Sequence, residues 1–207
     1  MSTLRSLTLA VAVAALSPAS VDAQNRPMSP RGQAATQVGG SLDADGAYQG
    51  GNWIIVDYGR PIMRGRDLFG SGGDYGQAFL AGAPVWRLGA NRSTRFMTEV
   101  DLLFGDQRLP AGEYSVFAEL SEREWTLIFS TWGAKQNFQE DDPDALWGAY
   151  GYTADRDVLR ATMAVVTNAA AVDQLTISFI NMTQQGGDFM VVWDDQMAAT
   201  PFRLAGR

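Results

Sequence analysis

Between residues 113 and 120 the side chains alternate. Tyr114, Val116, Ala118 and Leu120 fall on one face, and Glu113, Ser115 and Glu119 on the other, the period-two pattern of a half-buried β-strand. Residues 121–124 form a polar break, after which Trp125, Leu127 and Phe129 resume the apolar side, so the two runs predict a hairpin. The same period recurs in Leu175, Ile177 and Phe179, and again in Phe189, Val191 and Trp193. Gly-, Pro-, Asp- and Asn-bounded segments at 53–58, 94–103, 157–166 and 201–204 read as further strands. Trp53, Trp125 and Trp193 all lie in these segments and are expected in the core. Short strands at this spacing, with little sustained helical periodicity, predict an all-β fold: a single antiparallel β-sandwich or barrel-like domain over residues 52–207.

Two stretches fall outside this rhythm at the start of the chain. Residues 1–23 combine Arg5, an apolar run from Leu7 to Leu16, and the small residues around Val21-Asp22-Ala23, the layout of a secretory signal peptide cleaved after Ala23. The run is about half the roughly 20 residues that a membrane-spanning helix needs, and no later segment is long and apolar enough, so no membrane span is expected. Residues 24–51 are rich in Gly, Ser, Ala, Gln and Asn without an apolar period, which predicts a flexible spacer. A third departure, residues 131–152, is polar, acidic and aromatic together. It is long for a connection in a compact domain, and such loops often carry function.

Composition narrows the chemistry mainly by exclusion. The net charge is −7, and loss of a signal peptide would remove one Arg and one Asp and leave it unchanged. Nucleic acid and anionic membrane are therefore not expected partners, and any basic site must be local. The chain has no His and no Cys. That excludes Ser-His-Asp and Cys-His nucleophilic machinery, zinc or haem ligation by His or Cys, thiol redox chemistry and disulfides. No G-x-x-x-x-G-K-[ST] phosphate loop occurs. No cofactor or metal is expected, and no catalytic residue is assigned.

The succession DYGRP, GR.LFG, VWRLGAN..T, LPAGEYS, EWTLIFS, WGAY.Y and DVLRA resembles an exported bacterial family known as domain of unknown function 2911. The resemblance covers about residues 53–204 and implies one mostly-β domain behind a signal peptide, with no activity attached. The family pattern commonly has an acidic residue where this chain has Arg92, which argues against a catalytic role for the GAN turn here. The span from Phe129 to Trp147 is also longer than usual, so the acidic loop is expected to be particular to this protein.

Three constellations remain. Arg60, Arg66 and Arg87 lie with Asn91 in or beside Gly-containing turns. Converging guanidinium groups would take up a carboxylate, sulfate or phosphate in bidentate fashion, with Asn91 orienting it. The alternative is structural, with these arginines pairing with Asp57, Asp67 or Asp101 and capping loop carbonyls. The long loop carries Trp132, Phe138, Trp147, Tyr150 and Tyr152, whose rings could either bind a sugar face or fold down as a satellite core. Burial is expected for Trp147 and Tyr152, since so long a loop needs apolar anchors. Trp147 and Tyr150 are the loop's candidate binding residues. The acidic run Glu140, Asp141, Asp142 and Asp144 offers oxygen ligands for Ca²⁺ but lacks the spacing of a calcium loop and reads as a solvated charge run. The expected role is thus a non-catalytic exported domain that binds a small anionic ligand, a glycan or an envelope protein. A glycan hydrolase using carboxylates alone, from Asp57, Asp67, Glu99 or Asp157, and a structural envelope protein are the competing readings.

Overall fold

A computed structural model describes residues 28–206, so the expected signal peptide lies outside the described residues. In chain order the strands are β1 (Arg31–Val38), β2 (Ser41–Leu42), β3 (Tyr48–Gln49), β4 (Asn52–Gly59), β5 (Thr94–Thr98), β6 (Leu102–Phe104) and β7 (Gln107–Leu109). They continue with β8 (Gly112–Glu119), β9 (Glu124–Ser130), β10 (Gly133–Ala134), β11 (Ala145–Leu146), β12 (Asp157–Thr183) and β13 (Gly186–Leu204), and α1 (Gln77–Leu80) is a single helical turn. Nine strands form one sheet in the order β1-β4-β5-β8-β9-β12-β13-β6-β7. Each of its pairings is antiparallel. The fold is all-β and sandwich-like.

The sheet makes two layers because β12 serves both. Its first part, Asp157 to Ala164, pairs with β9, and the later part pairs with β13, with register shifts between Thr167 and Val172 and between Val172 and Thr176. The inward residues Leu159, Ala161 and Met163 give way to an exposed stretch at 169–171 before Leu175 and Ile177 turn inward again. Irregular register bends a strand and re-aims its side chains. The two layers meet through Ile54, Val56, Phe96, Val116, Leu127 and Phe129 on one side and Leu175, Ile177, Phe189 and Val191 on the other. Phe96 and Phe189 touch across this core, edge to face, at 6.2 Å. Tyr58 stitches the layers, its hydroxyl accepting from the amide of Ile177 over 2.9 Å.

The hairpin read from the sequence is β8–β9, with Val116 opposite Phe129 and Ala118 opposite Leu127. Several expectations change. The segments 157–166 and 175–179 are parts of the one strand β12, and 189–193 and 201–204 parts of β13. Trp147, expected to be buried, is only half-buried. The region 94–103 is two strands, not one, because Thr98 closes a tight turn, donating from Oγ1 to the carbonyl of Val100 over 2.7 Å. Part of the segment expected to be a spacer is a strand: β1 pairs along its whole length with β4, Arg31 opposite Gly59 through Val38 opposite Asn52. Of its inward positions, Gly32, Ala34 and Thr36 are too small to show an apolar period and only Val38, at the end, enters the core, so main-chain pairing holds most of it. Trp53 is not in the core but 42% exposed, because β4 turns Ile54, Val56 and Tyr58 inward and leaves the odd positions outside.

The long loop is folded down. β10 and β11 pair in parallel, and Trp132, Leu146, Ala149 and Tyr152 bury against Phe117 and Ile128 on the outer face of β8 and β9, with Ala83 and Val85 completing this satellite core. Phe138 stays 66% exposed. The acidic residues close turns: Glu140 accepts from the amide of Gln136, Asp142 from that of Asp144, and Asp144 pairs with Arg156 at 2.6 Å.

Candidate functional site

Where β4 ends, the Gly59-Arg60-Pro61 turn nests against the Gly89-Ala90-Asn91 turn. A Cβ on Gly59 would come within 2.0 Å of the Ala90 carbonyl oxygen, so this approach is open only to glycine. Asn91 follows with φ of 65°, a left-handed conformation that Asn accepts more readily than most residues. The nested turns leave a cavity on either side.

The first cavity, about 450 Å³, is lined by Arg64, Arg66, Arg87 and Asn91, with apolar surface from Phe79 and Trp193 and a cover from Met28 and Ser29. Among the described residues, no carboxylate lines it, and none of its three arginines makes an ion pair. Two of them are oriented by main-chain oxygens. Arg66 donates to the carbonyls of Met63 and Ile62, both at 2.9 Å, and Arg87 donates from Nη1 to that of Asn91 at 2.7 Å. The guanidinium carbon of Arg87 also sits 5.5 Å from the centre of the Tyr150 ring, within cation–π range. Next to the lining residue Trp193, burial first and then Asp195, Asp67 and Asp173 hold the carboxyl of Asp194 above its ordinary range.

The second cavity, about 610 Å³, shares Ser29, Ala90 and Asn91 with the first. It lies on the outer face of the sheet and mixes charges: Arg31, Arg92 and Arg95 with Asp57 and Glu113, and Trp147 beside them. Register puts Gln33, Asp57, Arg95 and Ser115 in one row across β1, β4, β5 and β8. Gln33 donates to Asp57 Oδ1 over 2.9 Å, and Arg95 reaches Glu113 Oε1 from Nε at 3.0 Å and Nη2 at 2.9 Å.

The structure therefore gathers Arg66, Arg87 and Asn91 as read from the sequence, sets Tyr150 against Arg87, and places Trp147 in the neighbouring cavity. Arg60 goes elsewhere. It crosses over Gly32 and donates from Nε to the carbonyl of Leu175 at 3.2 Å, while Gln174 donates back to the Arg60 carbonyl at 3.3 Å. It lines neither cavity and ties β4 to the second layer. Arg64, two residues before Arg66 in the same Gly-flanked run, lines the first cavity as well, a residue the sequence reading does not include. Its proximity in sequence was the available signal. Arg31, Arg95 and Glu113 read only as strand positions.

Residues 44–202 match the family described as Protein of unknown function (DUF2911). The chain belongs to this family. No curated protein and no solved structure matches it. The DUF2911 span takes in both nested turns and the Trp147 loop, whereas β1, which brings Arg31 and Gly32 to the second cavity, precedes it.

A separate polar cluster anchors the end of the long loop. Tyr152 donates to Asp157 Oδ2 over 2.7 Å, and Arg160, which also pairs with Glu119, reaches the same oxygen at 2.8 Å. Burial, followed by the neighbouring Asp157, pushes the Tyr152 hydroxyl well above its usual range. The cluster borders neither cavity.

Proposed function

We propose that this DUF2911 protein is an exported, non-catalytic β-sandwich domain that binds a small anionic ligand in the cavity between the Pro61–Arg66 and Arg87–Asn91 turns. One observation carries the reading: in a chain of net charge −7, Arg64, Arg66 and Arg87 line one cavity that, among the described residues, holds no carboxylate. The guanidinium groups of Arg66 and Arg87, held by carbonyls rather than by acids, keep their charge uncompensated, and they present further N–H donors in the planar fork that suits carboxylate, sulfate or phosphate. The apolar floor of Phe79 and Trp193 lowers the local dielectric and strengthens such contacts.

Thermal melting of the purified protein tests this directly, because a ligand selective for the folded state raises stability by RT ln(1 + [L]/Kd). Phosphate, sulfate or a short dicarboxylate should raise the melting temperature in a concentration-dependent way at constant ionic strength, and chloride should not. A flat response to all three anions would shift weight to an envelope-protein partner.

A further inference from the structure

We infer that the two cavities are two halves of one site, and that its ligand is a saccharide carrying an anionic group. This rests on the anion reading of the first cavity and extends it. The halves are contiguous, since Ser29, Ala90 and Asn91 form a common wall. Their chemistry differs. Among the described residues, the charged groups of the first are guanidiniums alone, and the second sets Asp57 and Glu113 among Arg31, Arg92 and Arg95.

A second anion would be repelled by the two carboxylates, and a cation by the three arginines. A polyhydroxyl ligand satisfies both, because each hydroxyl donates to a carboxylate and accepts from a guanidinium. The lining has capacity left for it. Glu113 meets Arg95 through Oε1 only, Asp57 meets Gln33 through Oδ1 only, and their second oxygens have no hydrogen bond among the described residues. Arg92 spends Nε on the carbonyl of Lys135 and keeps its terminal nitrogens. Trp147, half-buried on the cavity wall, supplies apolar surface for the C–H face of a sugar ring. Each cavity falls in the range of roughly 300–1,000 Å³ usual for small-molecule sites. Asp57 and Glu113 act here as hydrogen-bond acceptors, with no bond broken.

Isothermal titration calorimetry of the purified protein with phosphate, glucose, glucose 6-phosphate, glucuronate and digalacturonate tests the inference. At least one acidic sugar should bind about tenfold or more tightly than phosphate. Trp147→Ala and Asp57→Asn should each remove most of that advantage while leaving phosphate affinity within about twofold, and Arg66→Gln should weaken both ligand types. If the acidic sugars bind no better than phosphate, or if Trp147→Ala and Asp57→Asn leave them unchanged, the saccharide half is overturned while the anion site stands. If neither phosphate nor any acidic sugar binds, the underlying reading falls with it.

Discussion

Arg87 donates from Nη1 to the main-chain carbonyl of Asn91 over 2.7 Å, so the guanidinium and the turn that carries Asn91 fix each other in place. The other side of Arg87 faces the Tyr150 ring, and Gly148 leaves room for it, since a Cβ there would lie 2.6 Å from Nη1. Arg87→Gln removes one charge-assisted hydrogen bond and one cation–π contact, each worth about 1 kcal/mol at a partly exposed position. The variant should therefore stay folded, lose about 1–2 kcal/mol in a denaturant titration, and bind anions at least about tenfold more weakly. A loss of stability well beyond this, with anion affinity intact, would make Arg87 a structural residue.

Arg60 is expected to behave in the opposite way. Its contacts run to Leu175 and Thr176, at 3.2 and 3.5 Å, and join the two layers. Arg60→Met should cost about 1–2 kcal/mol through the lost hydrogen bond and the orphaned carbonyl, with phosphate affinity unchanged in calorimetry. Weakened binding without destabilisation would return Arg60 to the site.

Trp125 is fully buried on β9. It stacks on Phe69 at 5.6 Å, meets Trp86 edge to face at 5.8 Å, and donates from its indole nitrogen to the Tyr75 hydroxyl at 3.3 Å. Trp125→Ala leaves a large cavity in this aromatic cluster and should cost about 3–5 kcal/mol. A loss under about 1 kcal/mol on chemical denaturation would show that the cluster does not carry the core.

The pH dependence of stability follows from the tyrosines. Burial, as the leading cause, raises the hydroxyls of Tyr75, Tyr114 and Tyr152 above their ordinary range. The unfolded chain ionises them near pH 10 while the folded chain still holds their protons, so stability is fully present below about pH 10 and declines as pH rises above it. On the acid side Asp101, whose carboxylate accepts from the amide of Ala111 and pairs with Arg108, sits below its usual value, and its contribution is lost as pH falls below about 4. In an alkaline titration, tyrosinate absorbance from these three of the six tyrosines should appear together with the loss of far-ultraviolet circular dichroism. Full ionisation ahead of unfolding would contradict the burial.

The sequence made the alternating strands legible because side-chain period reports burial wherever one face is packed and the other wet, as in β8 and β9. It failed where that link is weak. β1 has a single buried apolar side chain, Val38, so most of its place in the sheet rests on backbone pairing that composition does not display. Trp53 and Trp125 both sit in strands, and what separates them is phase: Ile54, Val56 and Tyr58 claim the inner face of β4 and push Trp53 out. The arginines show the same limit. Arg60 and Arg66 share one Gly-rich segment, yet Arg60 is claimed by a strand 115 residues further on, and Arg66 is turned by its own loop. The first cavity joins residues from 28–29, 61–66, 79, 87–91 and 193, a convergence that only the folded-over sheet produces.

The central claim is that a cationic cavity between the nested turns takes an anion. The measurement that tests it most directly is a sulfate titration of the isotope-labelled protein followed by ¹⁵N NMR, at constant ionic strength. Saturating shifts should concentrate in the amides of Arg64, Gly65, Arg66, Arg87 and Asn91 and be lost in an Arg64→Gln/Arg66→Gln double variant that keeps the wild-type spectrum elsewhere. Shifts that never saturate, or that saturate at another set of residues while this set stays still, would contradict the account.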